Sequence, residues 1–94
     1  MNNSRNPYLA LNGKLNIAGV NINYYRNQKR MSVQQLSDKL IMMGIDIHRQ
    51  SIFAIESGKR TVTDYEICAF AEALGITTND LLKDFSEFLK QDNK

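Results

Sequence analysis

The chain has 94 residues, of which 43% are hydrophobic and 23% are charged. That length supplies one modest hydrophobic core, so we expect a single domain without a substrate cleft between two lobes. A single cysteine, Cys68, and a single histidine, His48, exclude an intramolecular disulfide and a multi-cysteine zinc site. We therefore expect no metal and no cofactor, and we expect Cys68 to pack as a small hydrophobic side chain.

Features of membrane proteins, secreted proteins and enzymes are missing from the sequence. No apolar run approaches the roughly 20 residues that cross a membrane, and the first residues do not form the hydrophobic segment of a signal peptide. The expected location is the cytoplasm, with no membrane partner. Neither His48 nor Cys68 has a partner at a recognisable catalytic spacing, so we expect no catalytic residue, no enzyme and no small-molecule substrate.

The charge is unevenly distributed along the chain. The net charge is +2 overall, but it is +4 over residues 23–62 and −4 over residues 63–94. A basic middle beside an acidic end fits a protein in which one face meets a polyanion. Chance segregation of solvated helix faces explains the same pattern equally well.

The hydrophobic pattern predicts an all-α chain of five short helices, preceded by a mobile arm over residues 1–17. The first helix is predicted from about Ala18 to Arg30, with Tyr25 facing inward and Tyr24 facing outward. The second follows a cap at Ser32 and ends at Gly44, because glycine adopts a positive φ without strain.

A third helix is predicted from about His48 to Ser57, ending at Gly58 and burying Ile52 and Ile55. The next two helices each follow a predicted capping box, in which two side chains bind each other's backbone amides. The first box pairs Thr63 with Glu66, and the second pairs Thr77 with Asp80. The fifth helix is predicted to run without a break through these apolar residues: Leu81, Leu82, Phe85, Phe88 and Leu89.

The second and third helices form a helix-turn-helix arrangement, which places the N-terminal end of its second helix in the DNA major groove. Arg49 and Gln50 begin that helix, and Phe53 and Ala54 follow one turn later. Arginine and glutamine side chains form bidentate hydrogen bonds with guanine and adenine. Since both residues are also common on solvent-facing helices, these positions alone fit an ordinary surface helix as well.

Residues 18–82 resemble the DNA-binding domain of the lambda-repressor-like helix-turn-helix family, also called the XRE family. Four segments carry the resemblance, in the family's order and at nearly its spacing, namely residues 22–26, 31–36, 51–60 and 70–82. They include Met31-Ser32-Val33-Gln34-Gln35-Leu36 and the run Ser51-Ile52-Phe53-Ala54-Ile55-Glu56-Ser57-Gly58-Lys59-Arg60. The resemblance implies a five-helix fold and a small transcriptional regulator of bacterial or phage origin.

The family's functional positions carry over residue by residue. Base reading is implied for Arg49, Gln50, Phe53 and Ala54. Contacts with DNA phosphates are implied for Gln34, Gln35, Ser51, Lys59 and Arg60. A structural ion pair between the first and third helices is implied for Arg26 and Glu56.

This sequence departs from the simplest family members in two ways. Residues 41–45 add about one turn to the second helix, so the expected contacts are assigned only to within about one position. Val33 stands where the family often has a glutamine that touches phosphate, so that contact is lost or passes to Gln34.

The end of the chain carries more apolar residues than this small core requires. Either they pack back onto the core or they form a dimer surface, and we favour the dimer because one short module contacts too few base pairs for genomic specificity. The predicted dimer interface comprises Leu81, Phe85, Phe88 and Leu89, with residues 83–94 as a C-terminal extension.

The sequence therefore predicts a homodimer that binds double-stranded DNA sequence-specifically and acts as a transcriptional repressor. The alternative is a protein-interaction module, such as an antitoxin-like or anti-repressor partner, that uses the fifth helix as its main surface.

Overall fold

The computed structural model describes residues 13–87, and all regular structure within that range is helical. The five predicted helices are present, which confirms the all-α fold. Their bounds are α1 Ala18–Gln28, α2 Val33–Met42, α3 Arg49–Glu56, α4 Asp64–Leu74 and α5 Thr78–Leu82.

Three of the helices begin with a capping box. In α2 the Ser32 hydroxyl accepts from the Gln35 amide at 3.0 Å, and the Gln35 side chain accepts from the Ser32 amide at 2.8 Å. The boxes predicted for α4 and α5 are formed in the same way. Each box satisfies two backbone amides that a helix start leaves without a partner, so these starts are encoded locally.

A residue in the left-handed conformation ends each of the first four helices. The predicted glycine stops are confirmed, with φ of 85° at Gly44, 78° at Gly58 and 69° at Gly75. The amide after each glycine binds the carbonyl five residues earlier, which is the Schellman arrangement. α1 ends in the same way, but the left-handed residue is Arg30, with φ of 53°.

The core lies where the five helices meet, and each of them contributes buried apolar side chains to it. α1 packs against α3, α4 and α5, and α2 packs against α3 and α4. The largest fully buried side chains are Phe70, Ile22, Leu36, Leu40, Ile47, Ile52, Ile55, Leu74 and Leu81. Cys68 is exposed on α4, so the expectation that it packs in the core was wrong.

Gly19 allows α1 to approach the end of α3 very closely. A Cβ atom at this position would lie 2.0 Å from the carbonyl oxygen of Ile55. Any side chain larger than hydrogen would therefore push the two helices apart. This crossing fixes the position of α3 relative to α1.

The fifth helix is shorter than the sequence predicted. α5 ends at Leu82, a turn follows, and residues 85–87 are again helical. The buried Asn21 side chain donates to the Leu81 carbonyl at 3.0 Å and to the Asp84 carboxylate at 3.2 Å. That carbonyl is the acceptor that an unbroken helix would offer to the Phe85 amide, so Asn21 binds α5 at the point where the helix breaks.

Only part of the predicted dimer interface is available on the surface of the described residues. Leu81 is fully buried in the domain's own core, so its assignment to an interface was wrong. Phe85 is 45% exposed. Phe88 and Leu89 lie outside the described residues.

Residues 13–17, which the sequence placed in the arm, pack on the rest of the domain. The Leu15 amide donates to the Gly58 carbonyl at 2.8 Å. Residues 1–12 lie outside the described range. Within that range no helix combines the length and the apolar character needed to cross a bilayer.

Candidate nucleic-acid interface

The helix α3, called the recognition helix below, buries one face and exposes the other. Ile52 and Ile55 are fully buried, whereas Arg49 and Gln50 are exposed and Phe53 is 56% exposed. Side chains three and four residues apart share a helix face. The structure therefore brings Arg49, Gln50 and Phe53 to one solvent-facing surface, with Ala54 half-buried beside them.

An ion pair supports this helix from behind. Arg26 of α1 donates from Nε to Oε2 of Glu56 at 2.8 Å and from a terminal nitrogen to Oε1 at 3.0 Å. The other terminal nitrogen donates to the Met31 carbonyl at 2.9 Å, and Asn23 adds a hydrogen bond to Glu56 at 2.9 Å. The hydrogen bond to Glu56 raises the pKa of Arg26 despite its desolvation. The predicted pair is thus a bidentate ion pair between α1 and the recognition helix.

The first turn of α2 presents the two glutamines of the sequence prediction. Both side chains are exposed. Gln35 uses its carbonyl oxygen in the capping box, while Gln34 donates to Asp38 at 3.0 Å. Ser51, the third predicted polar contact, is half-buried on the recognition helix. Within the described residues the side-chain nitrogen of Gln35 has no hydrogen-bond partner, so it can donate to an anion at this helix start without breaking a contact.

The loop after the recognition helix, residues 57–62, holds its two cations in different ways. Lys59 is exposed, and its ammonium group has no hydrogen-bond or ion-pair partner within the described part of the chain. The Arg60 guanidinium instead forms two hydrogen bonds with the Glu66 carboxylate, at 3.1 and 3.0 Å. Lys59 is therefore the cation that this loop presents to a ligand without first breaking an ion pair.

Glu66 is stabilised in its charged form by this arrangement. Burial raises its pKa, but hydrogen bonds from Arg60 and from the Thr63 amide outweigh burial, and the net shift is downward. The same carboxylate closes the capping box of α4. Glu66 therefore links the start of α4 to the loop that follows the recognition helix.

The recognition helix begins without a side-chain cap. His48 occupies the cap position, but its side chain makes no capping hydrogen bond. Its Nε2 lies 2.8 Å from the Asp46 carboxylate, and both side chains are well exposed. The side chain at the cap position therefore satisfies none of the first backbone amides of this helix, and the positive end of the helix dipole favours an anion there.

Two further asparagines contribute to the site and were missed at the sequence level. Asn23 contacts Glu56, and Asn16 contacts the end of the recognition helix. Asn16 stands just before α1, so its residue type was a recognisable helix-start signal. Nothing in the local pattern of Asn23 indicates a partner that lies 33 residues away.

Among residues 13–87, no cluster of three or more histidine, cysteine, aspartate or glutamate residues is arranged to hold a metal ion.

A shallow surface groove between α1 and α2 is lined by Lys29, Arg30, Met31, Gln35, Asp38 and Lys39. Three of these six residues are cationic and one, Asp38, is anionic, so the lining of the groove carries a net charge of +2.

The amino-acid sequence also matches the model of a known protein family. A helix-turn-helix family model covers residues 22–81, which span α1 to α5. Comparison with curated proteins and with solved structures gave no match. Because the family model covers more than half of the chain, the protein belongs to the lambda-repressor-like (XRE) helix-turn-helix family of DNA-binding regulators.

Proposed function

We propose that this protein binds double-stranded DNA sequence-specifically and represses transcription by occupying its site. The observation that carries the proposal is the exposed face of the recognition helix, held from behind by the bridge between Arg26 and Glu56. A solvent-exposed helix start with arginine and glutamine has the dimensions and the donors required for the major groove.

The proposed contacts fall into two groups. Arg49 and Gln50 read base edges, with Phe53 and Ala54 making apolar contacts one turn further on. Phosphates are bound by Gln34, Gln35, Ser51, Lys59 and Arg60. Phosphate contacts add affinity and salt dependence, whereas base contacts add specificity. Since Arg60 is paired with Glu66, we assign Lys59 the larger electrostatic contribution.

The protein is proposed to act as a homodimer through the surface formed by the end of α5 and the residues just after it. Leu82 is 38% exposed and Phe85 is 45% exposed, and two half-sites on one face of DNA would double the sequence that is read. Sedimentation velocity compares the parent with Phe85→Ser. We expect a dimer for the parent and a monomer for the variant. If the parent sediments as a monomer both alone and when bound to a duplex, the proposed dimer is contradicted.

A second candidate function uses the same exposed surface for a different protein. Phe85 lies beside Asp84 and Glu87, in the part of the chain with a net charge of −4. An apolar patch bordered by acids suits a basic partner, as in an antitoxin-like or anti-repressor module. Retention of a basic partner by the parent but not by Phe85→Ser would favour this candidate.

Equilibrium titration of a random-sequence duplex tests the DNA-binding part of the proposal. Binding is measured by fluorescence anisotropy at several salt concentrations between 50 and 200 mM. The logarithm of the binding constant should fall linearly with the logarithm of salt, because displaced counterions are released from the duplex. Absence of binding at the lowest salt concentration would contradict the proposal.

A further inference from the structure

The side chain of Asn16 ties three separate parts of the domain together. Its oxygen accepts from the Gly19 amide at 2.6 Å, which caps the start of α1. Its nitrogen donates to the Ile55 carbonyl at 2.9 Å and to the Arg60 carbonyl at 2.8 Å. A primary amide has two N–H donors and one carbonyl acceptor, and all of them are used in these contacts.

The backbone on both sides of Lys59 is held by the same segment. The carbonyl of Gly58, immediately before Lys59, accepts from the Leu15 amide at 2.8 Å. The carbonyl of Arg60, immediately after Lys59, accepts from Asn16. The loop is therefore fixed at two points that flank the residue whose ammonium group projects into solvent.

The third contact of Asn16 joins this loop to the recognition helix. Ile55 lies in the last turn of that helix, and its carbonyl also lies against the backbone of Gly19. One side chain thus sets the position of the loop relative to the helix that carries Arg49 and Gln50. No pattern in the family resemblance assigns a role to this position.

We propose that Asn16 is a positioning residue, which holds the backbone around Lys59 so that this lysine reaches a DNA phosphate while the recognition helix lies in the groove. This inference rests on the proposed function. A loop that is ordered before binding loses less conformational entropy on binding than a mobile one does. Without Asn16, the Ile55 and Arg60 carbonyls would be released. Lys59 would then keep its charge but could take positions away from the phosphate.

Asn16→Ser separates this role from helix capping. The serine hydroxyl accepts from a backbone amide at a helix start as asparagine does, but it lacks the two N–H donors that reach Ile55 and Arg60. Asn21→Ala is the matched control. Asn21 also ties α1 to a distant carbonyl, at Leu81, but it does so at the other end of the domain.

The measurement is the salt dependence of binding to a duplex for the parent, Asn16→Ser, Asn21→Ala, Lys59→Ala and the Asn16→Ser/Lys59→Ala double variant. Circular dichroism first establishes that each is folded at the assay temperature. We expect Asn16→Ser and Lys59→Ala each to lose about one phosphate contact. Each should therefore reduce the slope of the logarithm of the binding constant against the logarithm of salt by about 0.9. The double variant should lose no more than either single variant, and Asn21→Ala should keep the parent's slope.

Two results overturn the inference in distinguishable ways. If the parent binds and folded Asn16→Ser keeps its slope, or if the two losses add in the double variant, Asn16 does not position Lys59 and the proposed function is unaffected. If the parent does not bind any duplex, the proposed function fails and this inference fails with it.

Discussion

Arg26 and Glu56 form a bidentate ion pair across the interface between α1 and the recognition helix, with side chains only 11% and 7% exposed. The two residues lie 30 positions apart in the sequence. A planar guanidinium matches the two carboxylate oxygens in geometry as well as in charge. The pair therefore sets the orientation of the recognition helix rather than only its distance from α1.

Replacing Arg26 with lysine tests the importance of that geometry. Arg26→Lys keeps the positive charge but cannot bind both carboxylate oxygens and the Met31 carbonyl together. We expect the free energy of unfolding to fall by about 1–2 kcal/mol, measured by urea denaturation. Arg26→Ala should cost more, because it leaves Glu56 charged and without its main partner. Equal stability of Arg26→Lys and the parent would show that charge alone is sufficient.

Arg30 occupies a backbone conformation that favours glycine. Its φ of 53° ends α1 in the position that glycine takes at the ends of the next three helices. Arg30→Gly should raise the free energy of unfolding by about 0.5–1 kcal/mol, since the left-handed conformation strains residues with a Cβ. Gln28→Gly, at the last residue of α1, is the control and should lower the free energy of unfolding, because glycine is the weaker helix former. Destabilisation by Arg30→Gly would contradict the proposed strain.

The stability of the domain should depend on the ionisation of Glu66. Its pKa is lowered in the folded state, because hydrogen bonds from Arg60 and Thr63 outweigh burial. The stabilisation is therefore complete above the ordinary glutamate pKa of about 4.3 and is lost as the pH falls through the lower folded-state value. Urea denaturation between pH 7 and 3 should show a larger loss for the parent than for Glu66→Gln, which keeps a capping oxygen. Parallel pH profiles would exclude this contribution.

The two cations of the loop after the recognition helix should differ in their effect on DNA binding. Lys59→Ala should weaken binding to specific and random duplexes alike and reduce the salt slope by about one unit. The double variant Arg60→Met/Glu66→Gln removes one positive and one negative charge, so the net charge of the protein does not change. It should leave the salt slope close to that of the parent, because Arg60 is already paired with Glu66. A slope that falls equally in both cases would show that Arg60 contributes as much to phosphate binding as Lys59 does.

The fold was largely predictable because its signals are local. Capping residues such as Ser32 and Thr63, and stop signals such as Gly44, specify where helices begin and end within a few residues. The recognition helix buries one face and exposes the other, and this follows from the three-residue spacing of Ile52 and Ile55. These features need only the helical period and the conformational freedom of glycine.

The features that were missed depend on contacts between distant residues. The break after α5 lies at a carbonyl that is bound by Asn21, 60 positions earlier in the sequence. The pairing of Arg60 with Glu66 could have been suspected from their proximity in the sequence, but its geometry required the fold. The burial of Leu81 likewise reflects how α5 docks on α1, which apolar spacing alone does not distinguish from an exposed stripe.

The central claim is that the exposed face of the recognition helix reads DNA sequence. Selection of bound sequences from a random duplex library, carried out with the parent and with the Arg49→Ala/Gln50→Ala double variant, tests this claim most directly. We expect the parent to enrich a palindromic motif whose half-site spacing reports the dimer geometry. The double variant should enrich none while keeping salt-sensitive binding to bulk DNA. Failure of the parent to enrich any motif, or enrichment of the same motif by both proteins, would contradict the account.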